Sequence, residues 1–292
     1  MSSSPPLLIA IVGPTAVGKS LTGVLVAEAL RGEIVSVDSR QIYRGMEVGS
    51  GAPSQELMRR IPHYLVGIVP PDKRVSAGEF ARWGRECIDT ILQRGNLPIL
   101  VGGSGLYFTA LVDGLSPIPS DPTVRAQVEK EVLVRGREAM RAELAAVDPE
   151  YSLKVGPKDR KRLVRALEVF RLTGIPFSTW HKKSPTLNEG TPFNLRVWGL
   201  ERERGELRAL ICQRVAQQWK NGWVEEVKAL AKRYGGWDNI PQPVFEAVGY
   251  AQVIAYLKGD LTPQQAQEEI VLRTSQLAKR QMTWFRRDPR VE

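Results

Sequence analysis

The chain has 292 residues, 42% of them hydrophobic, enough to bury a sizeable core as one large domain or as one domain carrying an insertion. Its 41 Lys plus Arg against 32 Asp plus Glu give a formal charge of +9, a balance that favours an anionic partner such as nucleic acid. Two distant cysteines, Cys87 and Cys212, and two histidines, His63 and His181, exclude a disulfide framework and a Cys/His zinc knuckle, and no stretch approaches the roughly 20 apolar residues of a membrane span.

The opening MSSSPPLLIAIVG has a short apolar run without a basic leader or a small-residue cleavage pattern. The run ends in a Gly-rich loop, so it reads as a strand and a cytoplasmic location is expected. LLIAIV predicts a strand buried on both faces, and SLTGVLVAEALRG after the loop predicts a helix closed by Gly32. EIVSVDS and LPILVGGS repeat the buried-strand pattern, with a helix over AGEFARWGRECIDTILQRG between them. Strands alternating with helices predict a parallel sheet.

The character changes at GLSPIPSDP, where Asp121 before Pro122 is a good helix start. From there to about Gly174 the chain reads as helical and charged, and SPTLNEGTP forms a second boundary before FNLRVWGL returns to strand character. With the loop GPTAVGKS, which has P-loop spacing, after the first strand, the predicted fold class is α/β, a P-loop NTPase-like parallel sheet core with a helical insertion. Residues 1–118 and 193–292 make the core with its C-terminal helices, and 119–192 make the insertion. The last helix is predicted to start with a capping box at Thr262, Pro263 and Gln265 and to run towards Arg287.

GPTAVGKS, formed by Gly13, Pro14, Thr15, Ala16, Val17, Gly18, Lys19 and Ser20, fits the G-x-x-x-x-G-K-[ST] spacing between a buried strand and a helix. In such a loop, backbone amides and the helix N-terminus face phosphate oxygens, Lys19 neutralises charge, and the Ser20 hydroxyl can ligate Mg²⁺. The loop type is widely used for nucleotide and ATP binding, yet it specifies only a diphosphate-like group, so kinases, hydrolases and transferases with a diphosphate leaving group stay open. Asp38 ends the strand IVSVD, which should neighbour the loop strand, both C-terminal ends facing one crevice. It reads equally as a metal-associated acid or as a carboxylate acting on a nucleophile.

A series of segments in order resembles the tRNA dimethylallyltransferase (tRNA isopentenyltransferase) family. They are GPTAVGKS, EIVSVDSRQIYRGMEVGSGAP, IPHYLVGIVPP, SAGEF, LPILVGGSGLYFTAL, DRKRLVRALEVFRLTG and QLAKRQMTWFR, spanning about residues 8 to 287. The resemblance implies a prenyl transferase that moves the dimethylallyl group of dimethylallyl diphosphate to the exocyclic N6 amine of the adenosine 3′-adjacent to the anticodon in tRNA. The loop then holds diphosphate, with Mg²⁺ as cofactor. It implies Asp38 as general base, with Thr15 at the diphosphate near its bridging oxygen and Arg214 as an ion-pair partner of the diphosphate.

The resemblance further implies that Ser39, Arg40 and Gln41 read the everted base, and that Ser104 stands where the family most often has threonine. Arg125 and the basic helix residues Lys161, Arg162 and Arg165 are expected on the anticodon arm, with Leu163, Leu167 and Phe170 facing the insertion's core. Lys279, Arg280, Gln281 and Trp284 on the final helix are further expected tRNA contacts. The chain departs from the family pattern at Glu246 and Ala251, which flank the GY turn where basic residues are usual, at Gly156 and Lys158, and at Leu210, where the family often has an arginine. A monomer without an obligate protein partner is expected. The alternatives are a transferase acting on free adenine nucleotides, an ATP-dependent small-molecule kinase, and an RNA-binding module with a degenerate site.

Overall fold

The computed structural model describes residues 5–115, 118–183 and 193–292. It divides into two compact units, residues 1–114 with 191–292 and residues 115–190. The second boundary loop of the sequence pattern, 184–192, lies outside the described residues.

In the first unit the chain forms β1 (Leu7–Val12), α1 (Lys19–Leu30), β2 (Gly32–Val37), α2 (Glu47–Ser50), α3 (Gln55–Arg60), β3 (His63–Tyr64), α4 (Ala77–Gln93), β4 (Leu97–Gly102) and α5 (Gly105–Val112). It returns with β5 (Asn194–Gly199), α10 (Arg204–Lys220), α11 (Trp223–Arg233), α12 (Gln242–Glu246), α13 (Tyr250–Lys258) and α14 (Pro263–Phe285), numbered after the four helices of the second unit, α6 (Pro122–Val147), α7 (Pro149–Ser152), α8 (Arg160–Thr173) and α9 (Phe177–Lys183). The five strands make one parallel sheet in the order β3-β2-β4-β1-β5. Both faces are covered, so β1, β2 and β4 read as continuous apolar runs instead of alternating ones.

The strand of Asp38 does not adjoin the loop strand, contrary to the sequence expectation. β4 lies between them, and Ile99 faces Ile9 of β1 on one side and Ile34 of β2 on the other. The β1–α1–β2 crossover skips one position, which the later strand fills. All three strands are parallel, so their C-terminal ends still open on the same edge of the sheet, where an open α/β sheet places its ligand.

Two local expectations also shift. Arg31, not Gly32, ends α1, in the left-handed region with φ 52°. Gly32 is already the first residue of β2, where a Cβ would collide with Ile99. β3, only two residues long, has no pattern to read. The capping box at Thr262 and Gln265 forms as expected, and α14 ends at Phe285.

In the second unit Asp121 caps α6 by accepting from the amides of Thr123 and Val124. Gly136, at φ 80°, interrupts that helix. Val128, Val132, Met140 and Leu144 pack on Leu163, Val164 and Leu167 of α8. Phe170 is only partly buried. The neighbouring Glu168 is instead at 0% exposure, which no apolar pattern predicts.

Candidate active site

β1 ends at Val12 and the chain turns through the P-loop into α1, whose N-cap is Gly18 at φ 109°. Within this run Thr15, Ala16, Gly18, Lys19 and Ser20 line a cavity of about 560 Å³. Gly13 and Pro14 are buried, and Val17 belongs to the core. The Lys19 ammonium donates to the Pro14 carbonyl at 2.6 Å, folding the side chain back along the loop. Burial, helped by the nearby Arg214 guanidinium and opposed by Asp38, pushes its pKa down to about 7. A nearby anion would favour the charged form of such a recessed amine, supplying the charge stabilisation that water no longer does.

Arg214 projects from α10 to the same place. Its guanidinium donates to the carbonyls of Ser50 (3.4 Å) and Gly51 (3.2 Å), and burial pulls its pKa below the ordinary arginine value while Asp38 raises it. The short helix α2 that presents those carbonyls is itself anchored from α10 and α11. Glu226 accepts from the amides of Val48 (2.7 Å) and Gly49 (3.0 Å), and Gln218 donates to the carbonyls of the same two residues. Burial raises the Glu226 carboxyl above the usual range. Neither carboxylate nor amide belongs to a motif, so sequence reasoning missed them.

Asp38 sits one residue past β2, and its Oδ1 accepts from the amides of Arg40 (2.8 Å) and Gln41 (3.4 Å). This turn holds the carboxylate at the sheet edge. Ser104 begins α5, and its Oγ accepts from the Ser39 amide at 3.0 Å, tying the loop after β2 to the loop after β4.

A second cavity, of about 430 Å³, opens from this region towards α12 and α14. Ser39, Arg40, Ser104, Arg280 and Trp284 line it. Both cavities are walled by the same five residues, Thr15, Asp38, Ser50, Arg214 and Gln281. Thr15 of the P-loop, the Arg214 guanidinium and the Asp38 carboxylate therefore stand where the two spaces meet.

Of the base-reading and basic residues expected in the first unit, Gln41 and Lys279 do not line this second cavity with the others. Gln41 lines the first cavity only and has both amide ends engaged, accepting from the Ser36 hydroxyl at 3.0 Å and donating to the Gly51 carbonyl at 3.1 Å. Arg40 donates to the Pro243 carbonyl at 3.1 Å and pairs with Glu246 at 3.4 Å. Glu246 also pairs with Arg74 at 3.2 Å. Gln281 accepts from the Thr15 amide at 2.8 Å and donates to the Gly103 carbonyl at 3.0 Å. Lys279 is exposed. Trp284 is 45% exposed, its indole against Gly105, where any Cβ would collide with it.

In the second unit Lys161 and Arg162 are exposed, Arg162 pairing with Asp159 at 3.3 Å. Arg125 and Arg165 both grip Glu168, at 2.9 and 3.0 Å. Glu168 also accepts from the Asp121 amide at 3.0 Å, and its pKa is lowered by these partners against its burial. The two arginines thus hold the insertion together, a role their charge pattern does not reveal.

Among the described residues no group of three or more His, Cys, Asp or Glu could hold a metal ion alone. Mg²⁺, however, takes most of its ligands from water and substrate phosphates. The Ser20 hydroxyl, in the first turn of α1 and lining the same cavity as Asp38, fits the single protein oxygen such an ion needs. No helix among the described residues is long and apolar enough to cross a membrane.

The family model described as IPP transferase matches residues 41–288, a span that leaves out the P-loop and Asp38. Curated relatives extend over those as well. A tRNA dimethylallyltransferase of Geobacter sulfurreducens is 41% identical over 292 residues, covering 100% of this chain and 92% of its own. One from Halorhodospira halophila is 44% identical over 288 residues, covering 96% and 89%. The crystal structure of a full-length tRNA isopentenylpyrophosphate transferase from Bacillus halodurans superposes with a TM-score of 0.69 at 37% identity, covering 98% of this chain and 88% of that one. A eukaryotic dimethylallyltransferase acting on tRNA shares the fold, with a TM-score of 0.79 at 24% identity over 96% and 70% of the two chains.

Proposed function

The chain belongs to the IPP transferase family, and from that premise we propose that it is a tRNA dimethylallyltransferase that prenylates N6 of the adenosine 3′-adjacent to the anticodon. The donor is dimethylallyl diphosphate. The observation that carries this reading is the common wall of the two cavities. One side offers a P-loop with Lys19 and Ser20, the other leads to the basic and aromatic residues of α14, and Asp38, Thr15 and Arg214 stand between.

Each group has work to do in such a transfer. As the allylic carbon parts from its diphosphate, positive charge grows on carbon and negative charge on the leaving oxygens. Lys19, Arg214 and the loop amides stabilise that leaving group. The Thr15 hydroxyl serves the bridging oxygen. Mg²⁺, held through Ser20, would add Lewis-acid stabilisation of the diphosphate. The adenine amine is a poor nucleophile because its lone pair is delocalised into the ring. Asp38 orients it by accepting one N–H, and takes that proton as the N6–carbon bond forms and the carbon–oxygen bond breaks.

The target base must leave its stack, at a cost of a few kcal/mol offset by contacts to the RNA backbone. Ser39, Arg40 and Ser104 in the second cavity receive it, and Gln41 acts from behind by fixing Gly51. Arg280, Lys279 and Trp284, with Lys161 and Arg162 of the second unit, offer phosphate contacts and a stacking face. Arg125 and Arg165 join them from the Glu168 cluster. The enzyme works as a monomer in the cytoplasm, where its tRNA substrate is found.

The test is incubation of the purified protein with labelled dimethylallyl diphosphate, Mg²⁺ and either tRNA or AMP. Label on tRNA is expected. Label on AMP alone, or ATP turnover without prenyl donor, would sink the reading.

A further inference from the structure

The family resemblance places Gln281 among the tRNA contacts. Gln281 instead sits in the wall shared by both cavities with both ends of its amide engaged inside the protein. The carbonyl accepts from the Thr15 amide at 2.8 Å, and the NH₂ donates to the Gly103 carbonyl at 3.0 Å. Three elements that are distant in sequence meet on this one side chain: the P-loop, the loop after β4, and the final helix. The fit leaves no room, because a Cβ on Gly103 would run into the Gln281 amide and one on Gly105 into Trp284.

Two consequences follow from the geometry. The Thr15 amide, already bonded to Gln281, is withdrawn from the set of loop amides that can face phosphate, which leaves Thr15 to act through its hydroxyl. The peptide carrying that hydroxyl is tied to α14 by this bond. The residues next to and one turn beyond Gln281, Arg280 and Trp284, line the second cavity, where the RNA arrives in the reading above.

On that reading, we propose that Gln281 is a positioning residue that couples the two substrates: RNA seated against α14 steadies the Gln281–Thr15 bond and so strengthens diphosphate binding, and diphosphate strengthens RNA binding by the same factor. Reciprocity is required of any such coupling at equilibrium.

The test measures inorganic diphosphate affinity, with Mg²⁺, in the presence and absence of a saturating anticodon stem-loop RNA. The proteins are the wild-type full chain, Gln281→Met, which keeps length and loses both hydrogen bonds, and Gln281→Glu, which keeps the acceptor for Thr15 and loses the donor to Gly103. In the wild type RNA should tighten diphosphate binding by about fivefold or more. In Gln281→Met the factor should fall to about one, with RNA affinity measured alone changed by less than about twofold, and Gln281→Glu should lie between. A wild type without coupling, or a Gln281→Met variant that keeps it, overturns the proposal. So does a variant that loses RNA affinity alone, since Gln281 would then be an RNA contact. Prenyl transfer by the wild type, assayed alongside, separates the two readings: transfer without coupling removes only this inference, and coupling without transfer removes only the proposed reaction.

Discussion

Gly51 and Arg214 approach so closely that the guanidinium occupies the space a side chain at residue 51 would need. Gly51 sits at φ 62°, its carbonyl accepts from Arg214 at 3.2 Å, and a Cβ built there collides with the guanidinium. Gly51→Ala should therefore push Arg214 out of its seat. We expect about a tenfold loss of diphosphate affinity, the scale of one hydrogen bond to a charged group, with a left-handed-backbone cost of about 1 kcal/mol on stability. Calorimetric titration with inorganic diphosphate, paired with a melting curve, checks both.

Lys19 makes donor binding depend on pH. Its folded pKa is about 7 against an ordinary 10.5, so the fold favours the neutral amine. Its contribution to stability is thus fully present above the unfolded value and is lost as pH falls through about 7. A diphosphate anion pulls the other way, raising the pKa, so binding takes up a proton where the free amine is neutral. At pH 8 the heat of diphosphate binding should vary with the buffer's ionisation enthalpy. Lys19→Arg, always charged, should lose that part of the dependence; an unchanged dependence would show that the proton goes elsewhere.

Asp38→Asn keeps an oxygen to accept from the amides of Arg40 and Gln41 but cannot take a proton at neutral pH. Turnover should fall about 10²- to 10⁴-fold, the usual share of a general base. RNA affinity should stay within about threefold if the carboxylate acts on the proton and not on position. Single-turnover kinetics with a filter-binding measurement on the same preparations decides between these.

Glu246 lies between Arg40 and Arg74 in the lining of the second cavity. Its carboxylate holds two guanidinium groups that RNA phosphates would otherwise attract. Glu246→Gln should tighten RNA binding by about threefold at low salt and steepen its salt dependence, because released cations displace more counterions from the RNA. A weaker complex would mean that Glu246 holds Arg40 in the productive pose.

Glu168, at 0% exposure between Arg125 and Arg165, should be a stability residue of the second unit. Glu168→Ala leaves two guanidinium groups facing a void. The expected cost is about 2–3 kcal/mol, at or below the low end for breaking a buried pair because both arginines keep some contact with water. Hydrogen exchange of the α6 and α8 amides in rising urea, reporting on the core against which Trp180 packs, checks it.

The local rules were readable in one dimension. Buried-strand runs, the P-loop spacing, the Asp121–Pro122 start and the Thr262 capping box involve residues within a few positions of one another, and each appears as the sequence predicts. The exceptions are small in scale. Arg31 replaces Gly32 at the end of α1 because the glycine is needed against β4, and β3 is too short to carry a period.

What the sequence by itself determined was the set of parts: an anion-binding turn, a carboxylate at a strand end, a basic excess, and an order of segments specific enough to name a family. Only the tertiary structure decided which parts meet. It put β4 between β1, which leads into the P-loop, and β2, which leads into Asp38, turned Gln281 inward to the Thr15 amide, gave Arg125 and Arg165 a buried glutamate, and set Glu246 against Arg40. The physical reason is that a polar or charged side chain pairs with whatever complementary group the fold brings within reach. Glu168 lies 43 positions from Arg125, and Thr15 lies 266 from Gln281. No periodicity or spacing rule spans such separations.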